Sequence, residues 1–246
     1  MICDSHIHVG QFRDIYTSPQ ELVSFLDKVS VDKFAVSSTS IWEENYDKVL
    51  HEIQTLICLA KDRVYPVFWI TPSMLRNGGI QQMLESGITW HCVKIHGVHP
   101  WNHKRIQEVT DIARQLHVPM LLHTGGFEQC EAGEYFSLIT KNPDVTFILA
   151  HARPIDQTIE IMQHCPNAWA DIAFTPIENV QELIQNDFVD RVLWGTDYPI
   201  QRAYYKDADQ KQLYLKRLDE VRSIAHGIVF DELTYNNFNR LFGKDM

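Results

Sequence analysis

Asp4, Ser5, His6, Ile7 and His8 place a His-x-His pair at the end of a short apolar run, with a carboxylate two residues upstream. Alternate side chains on a β-strand share a face. The spacing therefore predicts Asp4, His6 and His8 on one face and Cys3, Ile7 and Val9 on the other. Two imidazoles on a rigid strand form half of a metal site. Candidates for the other half each follow an apolar run: His123 after Met120-Leu121-Leu122, His151 after Phe147-Ile148-Leu149-Ala150, and Asp197 after Val192-Leu193-Trp194-Gly195-Thr196. Burying these groups together without a cation would be costly, so a metal cluster accounts for all of them at once.

Such a cluster needs a scaffold that brings distant strand ends together. Eight β-like runs cover Ile2–Val9, Lys33–Ser38, Val64–Ile70, His91–His96, Pro119–His123, Val145–His151, Ala168–Ile172 and Val192–Gly195. Helical patterns lie between them, including Pro19–Ser30, Glu43–Lys61, Asn102–His117, Pro154–His164 and Ile177–Asp187, with a last amphipathic stretch over Asp207–His226. Eight βα units in 246 residues match the count and size of a (β/α)8 TIM barrel spanning 1–246 as a single domain. A doubly wound open sheet is the alternative, weakened because no glycine-rich phosphate loop follows the first strands. His8, Lys94, His96, His123, His151 and Asp197 all fall at or just past the end of an apolar run. In a parallel barrel those ends meet at one mouth.

Composition narrows the function classes. The chain is 45 % hydrophobic with a net charge of −10 and no basic block, which argues against nucleic acid as a partner. No apolar run approaches the roughly 18 residues of a membrane span. Cys3, Cys58, Cys92, Cys130 and Cys165 have no CxxC spacing, which fits reduced thiols in a cytoplasmic protein. No leader fits before His6, consistent with the same compartment.

Asp-Ser-His-Ile-His, Leu-His-Thr-Gly, Ala-His and Trp-Gly-Thr-Asp-Tyr-Pro together resemble the amidohydrolase superfamily. The nearest likeness is to the amidohydrolase 2 group of metal-dependent hydrolases, lactonases and aminocarboxymuconate semialdehyde decarboxylase-like enzymes. The tail Asn236-Asn237-Phe238-Asn239-Arg240-Leu241-Phe242-Gly243 is similar to that group's ending. TatD-like nucleases share the opening pair but usually carry a glutamate near the fourth strand, where this chain has Lys94.

The resemblance implies that His6, His8, His123 and Asp197 hold a divalent metal, zinc or manganese, which lowers the pKa of a water. Asp197 would take that water's proton and pass it to the leaving group. His151 would be a second base, an orienter, a ligand of a second metal, or a hydrogen-bonding support. Asp4 would either hold a ligand histidine by its other nitrogen or serve the barrel floor. Lys94 carries two readings: carboxylated, it would bridge two metals, and as an ammonium it would meet substrate or a carboxylate at a one-metal site, the arrangement favoured here. His96 would contact substrate or be a solvated loop residue. Arg153, where many relatives have glycine, would clamp an anionic group or pair with an acidic neighbour. Arg13, Trp42, Trp101, Phe127, Phe174 and Tyr198 lie in predicted loops, where they would line a pocket or simply pack.

The expected activity is metal-dependent hydrolysis of an amide, lactone or ester of a small molecule. Its rival is non-oxidative decarboxylation of a small unsaturated or aromatic acid on the same scaffold, and a metal-dependent binding barrel is a more distant third. The barrel is small for this group, which favours short loops and a small substrate, or a site completed by a neighbouring chain in a homo-oligomer.

Overall fold

Each of the eight apolar runs forms a strand, because β-branched and other apolar residues buried on both faces suit a parallel sheet. The structure is a computed structural model and describes residues 1–99 and 101–243. Its strands are β1 (Cys3–Phe12), β2 (Ile15–Thr17), β3 (Lys33–Ser38), β4 (Val64–Trp69), β5 (Cys92–Ile95), β6 (Met120–His123), β7 (Phe147–Ala150), β8 (Ala168–Asp171) and β9 (Val192–Leu193). They neighbour one another in the order β2-β1-β3-β4-β5-β6-β7-β8-β9. All pairs are parallel except β1–β2, an antiparallel hairpin absent from the sequence reading. Three residues are too few for a periodic signal.

The two ends of the parallel run meet. Ser5 N donates to Trp194 O at 2.9 Å, Asp197 N to His6 O at 2.8 Å, and His8 N to Tyr198 O at 2.7 Å. These bonds join β1 to the segment beyond β9 and close the ring as a (β/α)8 barrel, so the open-sheet alternative is set aside. Among the described residues no helix is long and apolar enough to cross a membrane.

Two apolar layers hold the ring. Ala35, Val67, Cys92, Leu121, Ile148, Trp169 and Leu193 fill the barrel interior, with Phe238 and Phe242 packed against them. Phe34, Val36, Phe68, Val93, Phe147 and Val192 belong to the larger cluster shared with the helices. Each fully buried side chain of this size contributes about 1.5–3 kcal/mol. The expected helix Glu43–Lys61 is shorter than its pattern: Thr39–Glu43 forms a 3-10 turn, and the helix runs Tyr46–Ala60 behind an Asn45 cap. The helix Pro19–Lys28 starts with a capping box in which Ser18 and Glu21 bond reciprocally.

β1 departs from simple alternation. Asp4 pairs with Phe34 but Ile7 with Val36, so β1 carries one extra residue there, a bulge that reverses the phase of the faces. Cys3 consequently belongs to the barrel interior, while Ile7 and Val9 pack in the helix-facing layer. The prediction that Asp4 shares the face of His6 and His8 is therefore corrected. Asp4 is fully buried and accepts from Thr196 Oγ1 (2.7 Å), Thr196 N (3.2 Å), Tyr214 OH (3.0 Å) and His6 N (3.2 Å). It holds the backbone of the first histidine and not its ring.

Four donors suit a carboxylate, although burial pushes the Asp4 pKa up to about 7. Asp4→Asn turns an NH2 toward those donors. It is expected to cost about 1–3 kcal/mol in urea unfolding; an unchanged midpoint would show that the network does not stabilise the closure.

Candidate active site

The bulge leaves His6 and His8 both facing the barrel mouth. His6 Nδ1 lies 2.7 Å from Asp171 Oδ2. His8 Nδ1 lies 3.0 Å from Ser37 Oγ and 3.3 Å from Ser37 O. Proton-bearing Nδ1 atoms satisfy the carboxylate and the carbonyl, which leaves both Nε2 atoms as bare acceptors. Asp197 Oδ1 completes the cluster, 2.8 Å from His8 Nε2 and 3.4 Å from His6 Nε2. Burial, then the nearby Lys94 charge, holds both imidazoles well below their usual pKa, so they are neutral, the form that binds metal.

This donor set fits a divalent cation. The three atoms lie within 4.8 Å of one another. Ligands about 2.0–2.1 Å from a tetrahedral zinc stand roughly 3.3 Å apart, close to the separation from His6 to Asp197. The chain's own cation already points there. Lys94 Nζ is 2.7 Å from His6 Nε2 and 3.2 Å from His8 Nε2, and 4.5 Å from the Trp69 ring centroid. Burial lowers its pKa to about 8. A free ammonium and a metal cannot share the two Nε2 lone pairs, so a cation held there would require Lys94 to move aside, lose its proton or be carboxylated.

His123 stands differently from the expected third ligand. Its Nε2 is 3.1 Å from Gly125 O and its Nδ1 is 3.2 Å from His151 Nε2. It belongs to neither three-donor group; these are His6, His8 and Asp197, and His6, His151 and Asp171. Among the described residues it is not gathered with the other three donors. His151 gives Nδ1 to Ala173 O at 2.9 Å, which leaves Nε2 as its acceptor, and burial lowers its pKa to about 3. His96 is stacked on His123 with centroids 3.8 Å apart. Its Nδ1 accepts from Val98 N, and burial drives its pKa to about 2. It is therefore a packed wall residue, in contrast to the solvated-loop reading.

Backbone strain marks the same strand ends. His151 and Asp197 have φ of 73° and 59°, in the left-handed region that costs a side-chain-bearing residue about 1–2 kcal/mol. Such strain gathers at functional sites.

These groups line a cavity of about 650 Å³ with Arg13, Trp42, Phe127, Arg153 and Phe174. Of the loop residues expected there, two are elsewhere. Trp101 donates its indole N–H to His96 O, and Tyr198 is stacked on Phe25 with centroids 3.8 Å apart. Arg153 has no carboxylate in ion-pair reach among the described residues. It donates to Phe174 O at 2.5 Å and crosses the mouth over Gly125, whose φ is +77° and where a Cβ would lie 2.6 Å from Arg153 Cβ. That glycine makes room for the arginine.

Asp171 was missed. It is fully buried, orients His6, and also accepts from Ala173 N at 2.8 Å. Burial pushes its carboxyl pKa up. Its signal was available: an acid ending the run Ala168-Trp169-Ala170, two residues beyond an inward-facing Trp169.

A parallel barrel with histidines and an aspartate at its C-terminal mouth is the frame of a metal-assisted enzyme. A family model described as amidohydrolase matches residues 91–227, more than half of the sequence. The chain belongs to the amidohydrolase family. No curated protein matches it. A probable 2-pyrone-4,6-dicarboxylic acid hydrolase from Acinetobacter baumannii, solved with citric acid bound, is 14 % identical with a TM-score of 0.73, covering 98 % of this chain and 99 % of that one. The phosphotriesterase homology protein of Escherichia coli is 11 % identical with a TM-score of 0.70, covering 98 % of each chain. A 4-oxalomesaconate hydratase from Rhodopseudomonas palustris is 13 % identical with a TM-score of 0.68, covering 99 % of this chain and 96 % of that one. At such identities these likenesses establish the fold.

Proposed function

We propose that the protein is a metal-dependent hydrolase of a small amide, lactone or ester. The observation that carries this reading is the convergence of His6 Nε2, His8 Nε2 and Asp197 Oδ1 on one locus. His6, His8 and Asp197 would hold a divalent metal, zinc or manganese, which would supply an acidified water and a Lewis acid for a carbonyl oxygen. Asp197 takes the water's proton on its carboxylate and returns it to the leaving group. Asp171 fixes the His6 tautomer. His151, tied to Ala173 O through Nδ1, keeps a bare Nε2 beside His123 as a second proton acceptor near the reacting centre. Arg153 offers guanidinium N–H groups to an anionic part of the substrate. The Acinetobacter baumannii neighbour, described as a probable hydrolase of a pyrone dicarboxylic acid, is a precedent for such chemistry in this fold.

The unpaired Arg153 also favours a second reading, a non-oxidative decarboxylase in which that arginine orients a carboxylate over the centre. Turnover in 18O-labelled water separates the two. Hydrolysis places one 18O in the acid product and releases no CO2; CO2 release without label in a carboxyl group would overturn the hydrolase reading.

A further inference from the structure

The cavity rim carries groups that the proposed chemistry leaves unused. The β1–β2 hairpin lies outside the eight-stranded ring, and Arg13 sits at its turn. The Arg13 guanidinium is 5.3 Å from the Phe12 ring centroid and 5.1 Å from that of Tyr204. Two rings thus steady an exposed cation, so less rotamer freedom is lost when it binds an anion. The adjacent Asp14 is taken by Lys206 Nζ at 2.8 Å. That pair joins the hairpin turn to the segment carrying Tyr204 and Tyr205. Arg13 itself has no carboxylate in ion-pair reach among the described residues.

Exposed apolar side chains crowd the same mouth. Trp42, Val98, Phe127, Tyr204 and Tyr205 all line it and are among the most exposed large hydrophobic residues of the chain. Flat rings stack on such surfaces, and a planar guanidinium matches a carboxylate through paired N–H bonds. The whole chain carries −10, so its net field repels anions, and affinity for one must come from local groups.

We propose that Arg13 and the aromatic rim form the distal half of the substrate site. They would select substrates in which a planar aromatic or conjugated group bearing an acid lies beyond the bond being cleaved. The position of that bond rests on the hydrolase reading; binding of the distal group does not.

The test uses two ligands with no cleavable bond, 2-naphthoate and its neutral counterpart 2-naphthylmethanol, titrated calorimetrically into the intact protein. Wild type is expected to prefer the acid by about ten-fold or more, and Arg13→Asn to bring the two to near equality. Asparagine suits the Arg13 backbone, whose φ is 53°, so this variant keeps its fold. Arg13→Lys, which keeps the charge but loses the planar fork, is expected to fall between them. No preference in wild type, or a preference surviving in Arg13→Asn, would overturn the proposal. Hydrolysis of simple esters without this preference would remove the rim site alone. The preference without hydrolysis would remove the hydrolase reading alone.

Discussion

Asp197→Asn is expected to lower kcat on a verified substrate by about 100- to 10,000-fold, the usual contribution of a positioned general acid–base. The melting temperature should move little. Asparagine tolerates the left-handed backbone this position adopts, with φ of 59°. The bond from Asp197 N to His6 O, which helps close the barrel, belongs to the main chain and survives. The amide oxygen can still point at a metal, so binding weakens less than turnover. What disappears is the basic carboxylate beside His8. Wild-type turnover in this variant would remove Asp197 from the proton-transfer role while leaving the fold assignment intact.

His6→Ala is the second large effect. It removes one of three convergent donors and is expected to abolish stoichiometric metal together with activity. It also strips the buried Asp171 of its imidazole partner at 2.7 Å, costing about 1–3 kcal/mol of stability. Asp171→Asn separates these consequences. The metal ligand remains but its orientation and basicity weaken, so affinity should drop about 10- to 100-fold while some activity persists at high metal. Competition with a chromogenic chelator measures both variants. Equal metal affinity in wild type and His6→Ala would exclude His6 from the site.

Long apolar runs made the barrel legible: each needed burial on both faces, and eight of them in alternation with amphipathic stretches left few architectures. The positions of His6, His8 and Asp197 were legible because chemistry-bearing residues at strand ends gather at one mouth. Asp4 was misplaced for a local reason. One extra residue in β1 reverses the phase of the strand, and no composition signal marks that bulge. Asp171 shows in the sequence only as a lone acid ending Ala168–Asp171, which reads equally as the strand's polar boundary. The orientation of His123 depends on the local turn that brings Gly125 O to its Nε2 and on His151 at the end of the neighbouring β7, which strand spacing alone does not reveal. The β1–β2 hairpin, too short to show periodicity, delivers Arg13 to the rim.

Metal reconstitution tests the central claim most directly. Protein freed of metal by chelation is titrated with zinc or manganese while bound metal and hydrolytic turnover are followed together. The account predicts that turnover is lost on chelation and returns in step with the first equivalent, saturating there. A requirement for a second equivalent would instead indicate a bridging, carboxylated Lys94. Full turnover in metal-free protein would contradict the assignment of His6, His8 and Asp197 as the centre of a metal-dependent hydrolase.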